Sequence, residues 1–275
     1  MKTFPPAEPF ELRFHFHGDL PFFVRPKRGQ RDVVRRLWEK TSIKDAIEAC
    51  GVPHPEVDLI VVAGQPVGFS YQLETSLTID VHPVSAPANL FPADRLQSRT
   101  CTRFVADGHL GKLARNLRLL GIDVVYSPQP ADAELVAISA HEERALLTRD
   151  RPLLMHAVLR HGYYPRSQEA DEQTREILIR FGLRDRVAPF TRCLHCNGLL
   201  APVTKAEVFD QLEPLTKIYY ETFRRCGKCG RIYWSGSHFD KLQARINRLL
   251  GWGKPGSRST LAGHARRGIP TQLKS

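Results

Sequence analysis

The 275-residue chain carries a formal net charge of +11, with 25% charged and 42% hydrophobic residues, which is typical of folded globular proteins and long enough for about two domains. No apolar run approaches the roughly 20 residues of a membrane span and the N-terminus lacks a basic-then-apolar export signal, so we expect a cytoplasmic protein without membrane contact. Residues 191–250 and 251–275 each carry +5, which favours a polyanionic partner such as RNA or DNA, although a solvated basic surface has the same composition.

Residues 1–95 contain a pattern of two strands, one helix and two more strands. Ser42 is placed to cap the helix and Gly51 to end it. The four strands are predicted from alternating or continuous apolar runs, at Glu11–Phe16, Asp32–Trp38, Val57–Val62 and Ser76–His82. Ala63–Pro66 is predicted as a turn, and the Pro- and Ala-rich stretch Pro83–Pro92 as a linker.

Residues 100–190 alternate strands with helices, which predicts a parallel sheet with right-handed crossovers. The predicted strands are short apolar runs at Phe104–Ala106, Ile122–Tyr126 and Ala145–Thr148, with a fourth at Tyr163–Tyr164. The predicted helices run from Leu110 to a stop at Gly121, from Asp132 as N-cap to about Glu142, from Arg151 to about Arg160, and from Glu169 to Phe181.

One acidic residue follows each of the first three strands of this sheet. Asp107, Asp132 and Asp150 should therefore meet at the carboxyl edge, whereas Asp123, Glu142 and Glu143 lie at the opposite edge and are discarded as site candidates. Three converging carboxylates repel one another unless a cation is present, and hard oxygen ligands suit Mg²⁺ or Mn²⁺. The alternative is a turn residue, an N-cap and a loop acid without common function.

Basic residues surround the predicted acidic edge. Lys112, Arg115 and Arg118 step by three along the first helix and are candidates for phosphate contact, as are Arg149 and Arg151 beside Asp150. A solvated helix face explains the first three nearly as well. His109 fits a surface or packing role better than that of a ligand.

Two Cys-x-x-Cys pairs lie in the basic region that follows. The thiolates of Cys193, Cys196, Cys226 and Cys229 satisfy tetrahedral Zn²⁺, and because sulfur fills every position this zinc would be structural. His195, Cys50 and Cys101 are interpreted as residues without a special role. Basic and aromatic side chains are interleaved around the second pair. They could hold single-stranded nucleic acid by charge and stacking, or the aromatic ones could form a small core. These residues are Tyr219, Tyr220, Phe223, Arg224, Arg225, Lys228, Arg231, Tyr233 and Trp234.

Several ordered motifs resemble the PIN-like ribonuclease family first described as the carboxy-terminal domain of the Mut seven exonuclease. They are FVADGHLGKLARNLRLLG at 104–121, ADAELV at 131–136, LLTRDR at 146–151 and YWSGSH at 233–238, so the resemblance covers about 104 to 240. It implies a metal-dependent nuclease with Asp107, Asp132 and Asp150 as catalytic acids, and it makes His238 a further candidate. Many PIN domains have another acid two positions after the last of these, where this chain has Pro152.

The amino-terminal segment resembles the ubiquitin-like β-grasp domain often fused ahead of that family, most closely in LIVVAGQPV at 59–67. Sulfur carriers of this fold need a free Gly-Gly terminus, whereas this chain continues into Pro83–Pro92. The resemblance therefore favours a binding or positioning module with a protein partner over a carrier.

Together these observations predict an α/β protein with a PIN-like parallel sheet, a zinc ribbon and an N-terminal β-grasp domain. The predicted domains are 1–95 (β-grasp), 100–190 (PIN-like nuclease), 191–250 (zinc ribbon and basic helix) and 251–275 (disordered basic tail). The predicted function is hydrolysis of RNA, single-stranded if bases stack on the ribbon aromatics, with structural Zn and catalytic Mg or Mn. The alternatives are a noncatalytic RNA-binding or ribosome-associated adaptor, which Pro152 favours, and a nuclease acting chiefly on DNA.

Overall fold

A computed structural model describes residues 8–97, 101–236 and 239–251. His238 and the tail beyond Gly251, both singled out above, lie outside these residues. Within them the chain forms two compact units that divide between Gly198 and Leu199. The first unit holds the ubiquitin-like and α/β sheets, and the second is a small three-stranded module.

The ubiquitin-like domain is built on a five-stranded sheet with the order β2-β1-β7-β4-β5, in which β1 and β7 are parallel. A short β3–β6 pair lies apart from it. The elements are β1 (Phe10–Phe16), β2 (Asp32–Leu37), β3 (Thr41–Ser42), α1 (Ile43–Ala49), β4 (Val57–Val62), β5 (Gln65–Val67), β6 (Gln72–Leu73) and β7 (Leu77–Pro83).

Local signals in the sequence account for most of this domain. Ser42 caps α1 as predicted, its hydroxyl accepting a hydrogen bond from the Asp45 amide over 3.1 Å. The predicted turn at Ala63–Pro66 is too long, because a two-residue loop at Ala63 and Gly64, both with positive φ, already turns the chain into β5.

The α/β domain has four parallel strands in the order β11-β10-β8-β9, which confirms the predicted parallel sheet. Gly121 follows the first helix with φ +81°, and a Cβ there would lie 2.1 Å from the Ala188 carbonyl oxygen. The elements are β8 (Arg103–Ala106), α2 (Gly111–Leu119), β9 (Asp123–Tyr126), α3 (Asp132–His141), β10 (Ala145–Leu147), α4 (Arg151–Leu154), β11 (Gly162–Tyr163) and α5 (Ala170–Arg180).

The helix predicted from Arg151 to about Arg160 is wrong beyond its first turn. It ends after Leu154, and the apolar residues Ala157 and Val158, which would share one side of a longer helix with Leu153 and Leu154, are exposed. The chain instead turns so that Leu159 enters the core and Gly162 pairs with Leu146 in the sheet. The apolar residues of this segment are therefore spaced as in a helix, but the chain forms no helix beyond Leu154.

The second unit contains an antiparallel sheet in the order β12-β13-β14. Its small core is formed by Val208, Leu212 and Phe223, with Tyr220 and Ile232 packed against them. The elements are β12 (Leu200–Val203), α6 (Lys205–Val208), α7 (Pro214–Tyr219), β13 (Phe223–Cys226), β14 (Ile232–Trp234) and α8 (Phe239–Leu250).

Candidate functional site

The carboxyl ends of β8 and β10 place Asp107 and Asp150 at the same edge of the α/β sheet. The two strands are adjacent and parallel, and the Asp107 amide extends their pairing by donating to the Leu147 carbonyl over 3.0 Å. Ligands of parallel sheets collect at this edge, so the sequence argument and the topology point to the same place.

Thr148 connects these two acids. Its buried hydroxyl donates to Asp107 Oδ2 over 2.5 Å and accepts the Asp150 amide over 3.0 Å. Asp150 then caps α4, accepting the Leu153 amide on Oδ1 over 3.0 Å. The Thr148 hydroxyl thus binds both the Asp107 carboxylate and the Asp150 backbone amide. It therefore fixes the Asp107 carboxylate relative to the Asp150 loop. Sequence reasoning missed Thr148 because it was assigned only as the end of a strand.

His109 also lies at this edge and is exposed, which agrees with the surface role predicted for it. Its Nδ1 lies 3.1 Å from Asp107 Oδ2, and its Nε2 lies 3.2 Å from the Arg149 amide nitrogen. Because the amide can only donate, Nε2 is the acceptor, and we assign the neutral tautomer with the proton on Nδ1. His109 therefore binds the Arg149 amide, and its Nδ1 lies beside the carboxylate oxygen that Thr148 binds.

Asp132 is placed differently from the other two acids. It is the exposed first residue of α3, and Ala131 occupies the N-cap position predicted for it. Among the described residues, Asp107, Asp132 and Asp150 do not form a group whose ligand atoms all lie within 4.8 Å of one another. The structure thus links Asp107 and Asp150 through Thr148 and leaves Asp132 apart from them, at the start of α3.

Two glycines permit the loop after β9 to close over the Asp107 turn. A Cβ on Gly108 would lie 2.6 Å from the Pro128 carbonyl oxygen, and one on Gly111 would lie 2.5 Å from Tyr126 Oη. The Tyr126 hydroxyl also donates to the Gly108 carbonyl over 3.0 Å. The two glycines of the Asp-Gly-x-x-Gly pattern are therefore required by this packing, because a Cβ at either position would overlap Tyr126 or the loop after β9.

The predicted basic face of α2 is only partly correct. Lys112 and Arg115 are exposed, but Arg118 is 4% exposed and donates to the carbonyls of Val124, Leu194 and His195. Burial lowers the pKa of Arg118, and the nearby cysteines oppose this shift. Arg118 is wrong as a phosphate ligand because each of its nitrogens already donates to a backbone carbonyl.

Arg149 and Arg151 flank Asp150 as expected, but Arg151 has a second task. Its guanidinium donates to the carbonyls of Phe23 over 2.9 Å and Phe22 over 3.2 Å, so it also holds the ubiquitin-like domain. Arg149 is half-buried, and its Nε has no hydrogen-bond partner among the described residues.

Two of the acids discarded at the opposite edge, Asp123 and Glu142, belong to a structural network. Arg144 donates to Asp123 Oδ1 over 2.7 Å and to Glu142 Oε2 over 2.6 Å, and Asn197 donates to Asp123 over 2.7 Å. Burial alone would raise the pKa of Asp123, but the hydrogen bonds from Arg144 and Asn197 outweigh it and lower that pKa below 3.8. These groups stabilise the fold.

The four predicted zinc ligands come together. The sulfur atoms of Cys193, Cys196, Cys226 and Cys229 lie within 4.8 Å of one another. In each pair the amide of the second cysteine donates to the sulfur of the first, over 3.4 Å and 3.5 Å. His195 is exposed, as predicted. A set of four thiols in two such knuckles has the chemistry of a metal site.

The family model for the Mut7-C RNAse domain matches residues 102–246, which is more than half of the chain. The chain belongs to this family. The model for the Mut7-C ubiquitin domain matches residues 10–89, in agreement with the β-grasp prediction. Comparison with curated proteins and with solved structures gave no match.

Membership in the Mut7-C RNAse family confirms the resemblance noted in the motifs and suggests a nuclease-like function. The four thiols also lie within the matched region. Arg118 and Asn197 hold the first knuckle against β9, and the sequence did not predict this contact. No helix among the described residues is long and apolar enough to cross a membrane.

A second set of metal-binding groups lies on the Mut7-C ubiquitin-like sheet and was not predicted. His17, Asp80 and His82 have ligand atoms within 4.8 Å of one another. Asp80 and His82 lie on β7, and His17 directly follows the paired strand β1. His17 Nε2 lies 2.8 Å from Asp80 Oδ1, and the two imidazole rings stack at 4.0 Å. A His–Asp hydrogen bond and ring stacking explain this cluster without an ion.

Proposed function

We propose that the protein is a metal-dependent ribonuclease that hydrolyses RNA phosphodiester bonds at the carboxyl edge of the α/β sheet. The observation that carries this proposal is the linkage of Asp107 to Asp150 through Thr148, in a chain of the Mut7-C RNAse family. Asp107 and Asp150 would be the main catalytic acids, and Asp132 would complete the site.

The donor set of this edge fits a hard divalent ion. The Thr148 hydroxyl donates to Oδ2 of Asp107, and His109 Nδ1 lies beside the same oxygen. The Leu153 amide donates to Oδ1 of Asp150. One carboxylate oxygen of each acid therefore has no partner among the described residues, and Asp132 is exposed. Mg²⁺ and Mn²⁺ favour such oxygens, and Mg²⁺ usually retains several waters, so Asp132 can contribute through water rather than directly.

The chain's own residues would supply orientation and charge. Thr148 fixes one oxygen of Asp107, with His109 beside it, so the other oxygen would be left to hold an ion, and exposed Lys112 and Arg115 would hold the RNA backbone beside Asp107. A bound Mg²⁺ or Mn²⁺ would lower the pKa of a coordinated water and stabilise the leaving oxygen. Asp107 and Asp150 would hold that ion at the scissile phosphate.

The four thiols would hold a structural zinc ion. Four sulfur ligands complete a tetrahedral shell and leave no position for a substrate, so this ion would shape the ribbon over residues 191–250 and take no part in hydrolysis. Arg224, Arg225, Lys228 and Arg231 are exposed, as are Tyr219 and Trp234. These side chains suit backbone contact and base stacking with single-stranded RNA.

A noncatalytic RNA-binding adaptor is the second candidate. It is favoured by the separation of Asp132 from a common three-acid group and by Pro152, which occupies the position of a further acid in many PIN domains. On this alternative the basic surfaces bind RNA and the acidic edge performs no chemistry.

Labelled single-stranded RNA and DNA of one sequence, incubated with Mn²⁺, Mg²⁺ or EDTA, separate these functions. We expect metal-dependent cutting of RNA that Asp107→Asn abolishes and that Asp185→Asn, at an exposed acid outside the site, leaves unchanged. RNA binding without cutting by the wild type would establish the adaptor, and equal cutting of both polymers would overturn the preference for RNA.

A further inference from the structure

An open cleft of about 600 Å³ adjoins the acidic edge and is lined by two domains at once. The α/β domain contributes Arg149, Asp150, Arg151 and Tyr164. The ubiquitin-like domain contributes Arg25 and Arg28, from the loop between β1 and β2. A candidate catalytic acid thus shares a cleft with residues of a domain that was expected to act as a separate module.

The junction that forms this cleft is built from buried, directional contacts. Arg166 forms a fork on the carboxylate of Glu56, with nitrogen–oxygen distances of 3.0 Å and 2.8 Å, and Glu56 is 3% exposed. His54 Nε2 lies 2.7 Å from the Leu159 carbonyl oxygen. The two domains are therefore held in one arrangement, and the loop of Arg25 and Arg28 has a fixed position beside Asp150.

Aromatic packing continues the junction up to the cleft wall. The Tyr164 ring lies 5.6 Å from that of Phe22 and 5.5 Å from that of Phe23, and the Arg28 guanidinium lies 3.8 Å over the Phe22 ring. Stacking restricts the Arg28 side chain to the cleft wall without neutralising its charge.

The cleft carries uncompensated positive charge. Four guanidinium groups line it together with one carboxylate, that of Asp150, and no acidic side chain among the described residues pairs with Arg25 or Arg28. Burial lowers the pKa of Arg151, and the positive charges of Arg25 and Arg28 in the same cleft act in the same direction. Like charges gathered in a cleft next to a candidate hydrolytic site create a strong field for an anion.

We propose that this cleft binds the phosphate backbone of the RNA strand next to the scissile bond, with Arg25 and Arg28 of the ubiquitin-like domain as phosphate ligands. Guanidinium groups match phosphate oxygens in bidentate geometry, and the cleft leads directly to Asp150. The inference rests on the proposed nuclease function and extends it, because the ubiquitin-like domain becomes part of the substrate site. An acidic polypeptide is the competing occupant.

Fluorescence anisotropy of labelled single-stranded RNA, in EDTA so that no cutting occurs, tests this binding in the full chain. The matched pair of variants is Arg25→Ala/Arg28→Ala against Arg13→Ala/Arg36→Ala, two exposed arginines on β1 and β2 of the same domain. Both double variants remove two positive charges. We expect the cleft variant to bind at least about tenfold more weakly and its salt slope to fall by about 1.4, whereas the control changes little.

Several outcomes would overturn the proposal. These are equal losses in the two double variants, absence of RNA binding by the wild type, and displacement of RNA by polyglutamate at lower concentration than by unlabelled RNA. If the alanine variant does not fold, Arg25→Lys/Arg28→Lys keeps the charge but removes the fork, and its affinity should still fall several-fold. If RNA binding depends on the cleft but no metal-dependent cutting occurs, the nuclease proposal is wrong and the assignment of the cleft as an RNA-binding site is retained.

Discussion

The Thr148 hydroxyl donates to Asp107 Oδ2 over 2.5 Å, and this one bond connects the ends of two adjacent strands. The Thr148 hydroxyl oxygen also accepts a hydrogen bond from the Asp150 amide, so a single uncharged side chain sets the separation of two candidate catalytic acids. A threonine whose side chain is fully buried has little freedom to release either partner. The relative position of Asp107 and Asp150 thus depends on a residue that carries no charge.

Thr148→Val retains the shape of the side chain but removes both hydrogen bonds. We expect cutting to fall by about 10- to 100-fold and the Mn²⁺ concentration for half-maximal activity to rise, because residues that hydrogen-bond to metal ligands typically contribute on this scale. Thr148→Ser restores the hydroxyl and should recover most of the activity. A purely structural role would lower the melting temperature without moving the Mn²⁺ dependence, and that result would contradict the prediction.

Gly111→Ala should destabilise the chain by about 1–3 kcal/mol, since its Cβ would lie 2.5 Å from Tyr126 Oη. Gly68→Ala is the control because nothing lies within 4 Å of the Cβ built there. Tyr126→Phe removes the Oη atom and should recover part of the loss in the double variant. Urea unfolding of the four proteins measures these differences, and additive effects of the two substitutions would contradict a direct clash.

The sequence predicted the elements whose signals are local, such as the Ser42 cap and the parallel strands, because capping and apolar periodicity act within a few residues. It was wrong about Arg118. Steps of three along a helix rotate steadily, so a residue six positions after Lys112 lies about 120° away, on the buried side.

Contacts between distant segments were beyond prediction from one sequence. Thr148 acquires its role only when β10 pairs with β8, and Arg25 and Arg28 reach the cleft only because the ubiquitin-like domain docks through Glu56 and Arg166. Strand register and domain docking depend on the summed packing of many residues, and short motifs do not encode them. The four thiols were predictable because knuckle spacing is itself local.

The Asp123 network gives a pH dependence of stability whose sign follows from its lowered pKa. A carboxyl that titrates below its unfolded value of 3.8 stabilises the fold above about pH 4, and this contribution is lost as the pH falls through its folded pKa. Asp123→Asn should therefore cost about 2 kcal/mol at pH 7 and progressively less below pH 4. Urea unfolding between pH 3 and pH 7 measures the difference, and a constant gap across that range would contradict the assignment.

Zinc content should be one ion per chain and should depend on the four clustered thiols alone. We expect Cys226→Ser to lose the metal and to lower the melting temperature by several degrees, because the binding free energy of a structural zinc contributes to folding. Cys101→Ser, at a partly exposed cysteine outside the cluster, should retain it. Elemental analysis of the purified variants decides the matter, and full zinc occupancy in Cys226→Ser would rule out the four-thiol site.

Glu56→Ala tests whether the two domains of the first unit unfold together. The substitution leaves the buried Arg166 fork without its carboxylate and removes the acceptor of the Tyr164 amide, which Glu56 binds over 2.7 Å, so a loss of about 3–5 kcal/mol is expected. Since these contacts join the ubiquitin-like domain to the nuclease domain, calorimetry should show their common transition splitting into two. Glu74→Ala, at an exposed acid of the same domain, should keep a single transition near the wild-type temperature. A single transition in Glu56→Ala would contradict this expectation. It would mean that the packing of Tyr164 against Phe22 and Phe23 is sufficient to hold the two domains together. The ion pair would then orient the cleft without controlling domain association.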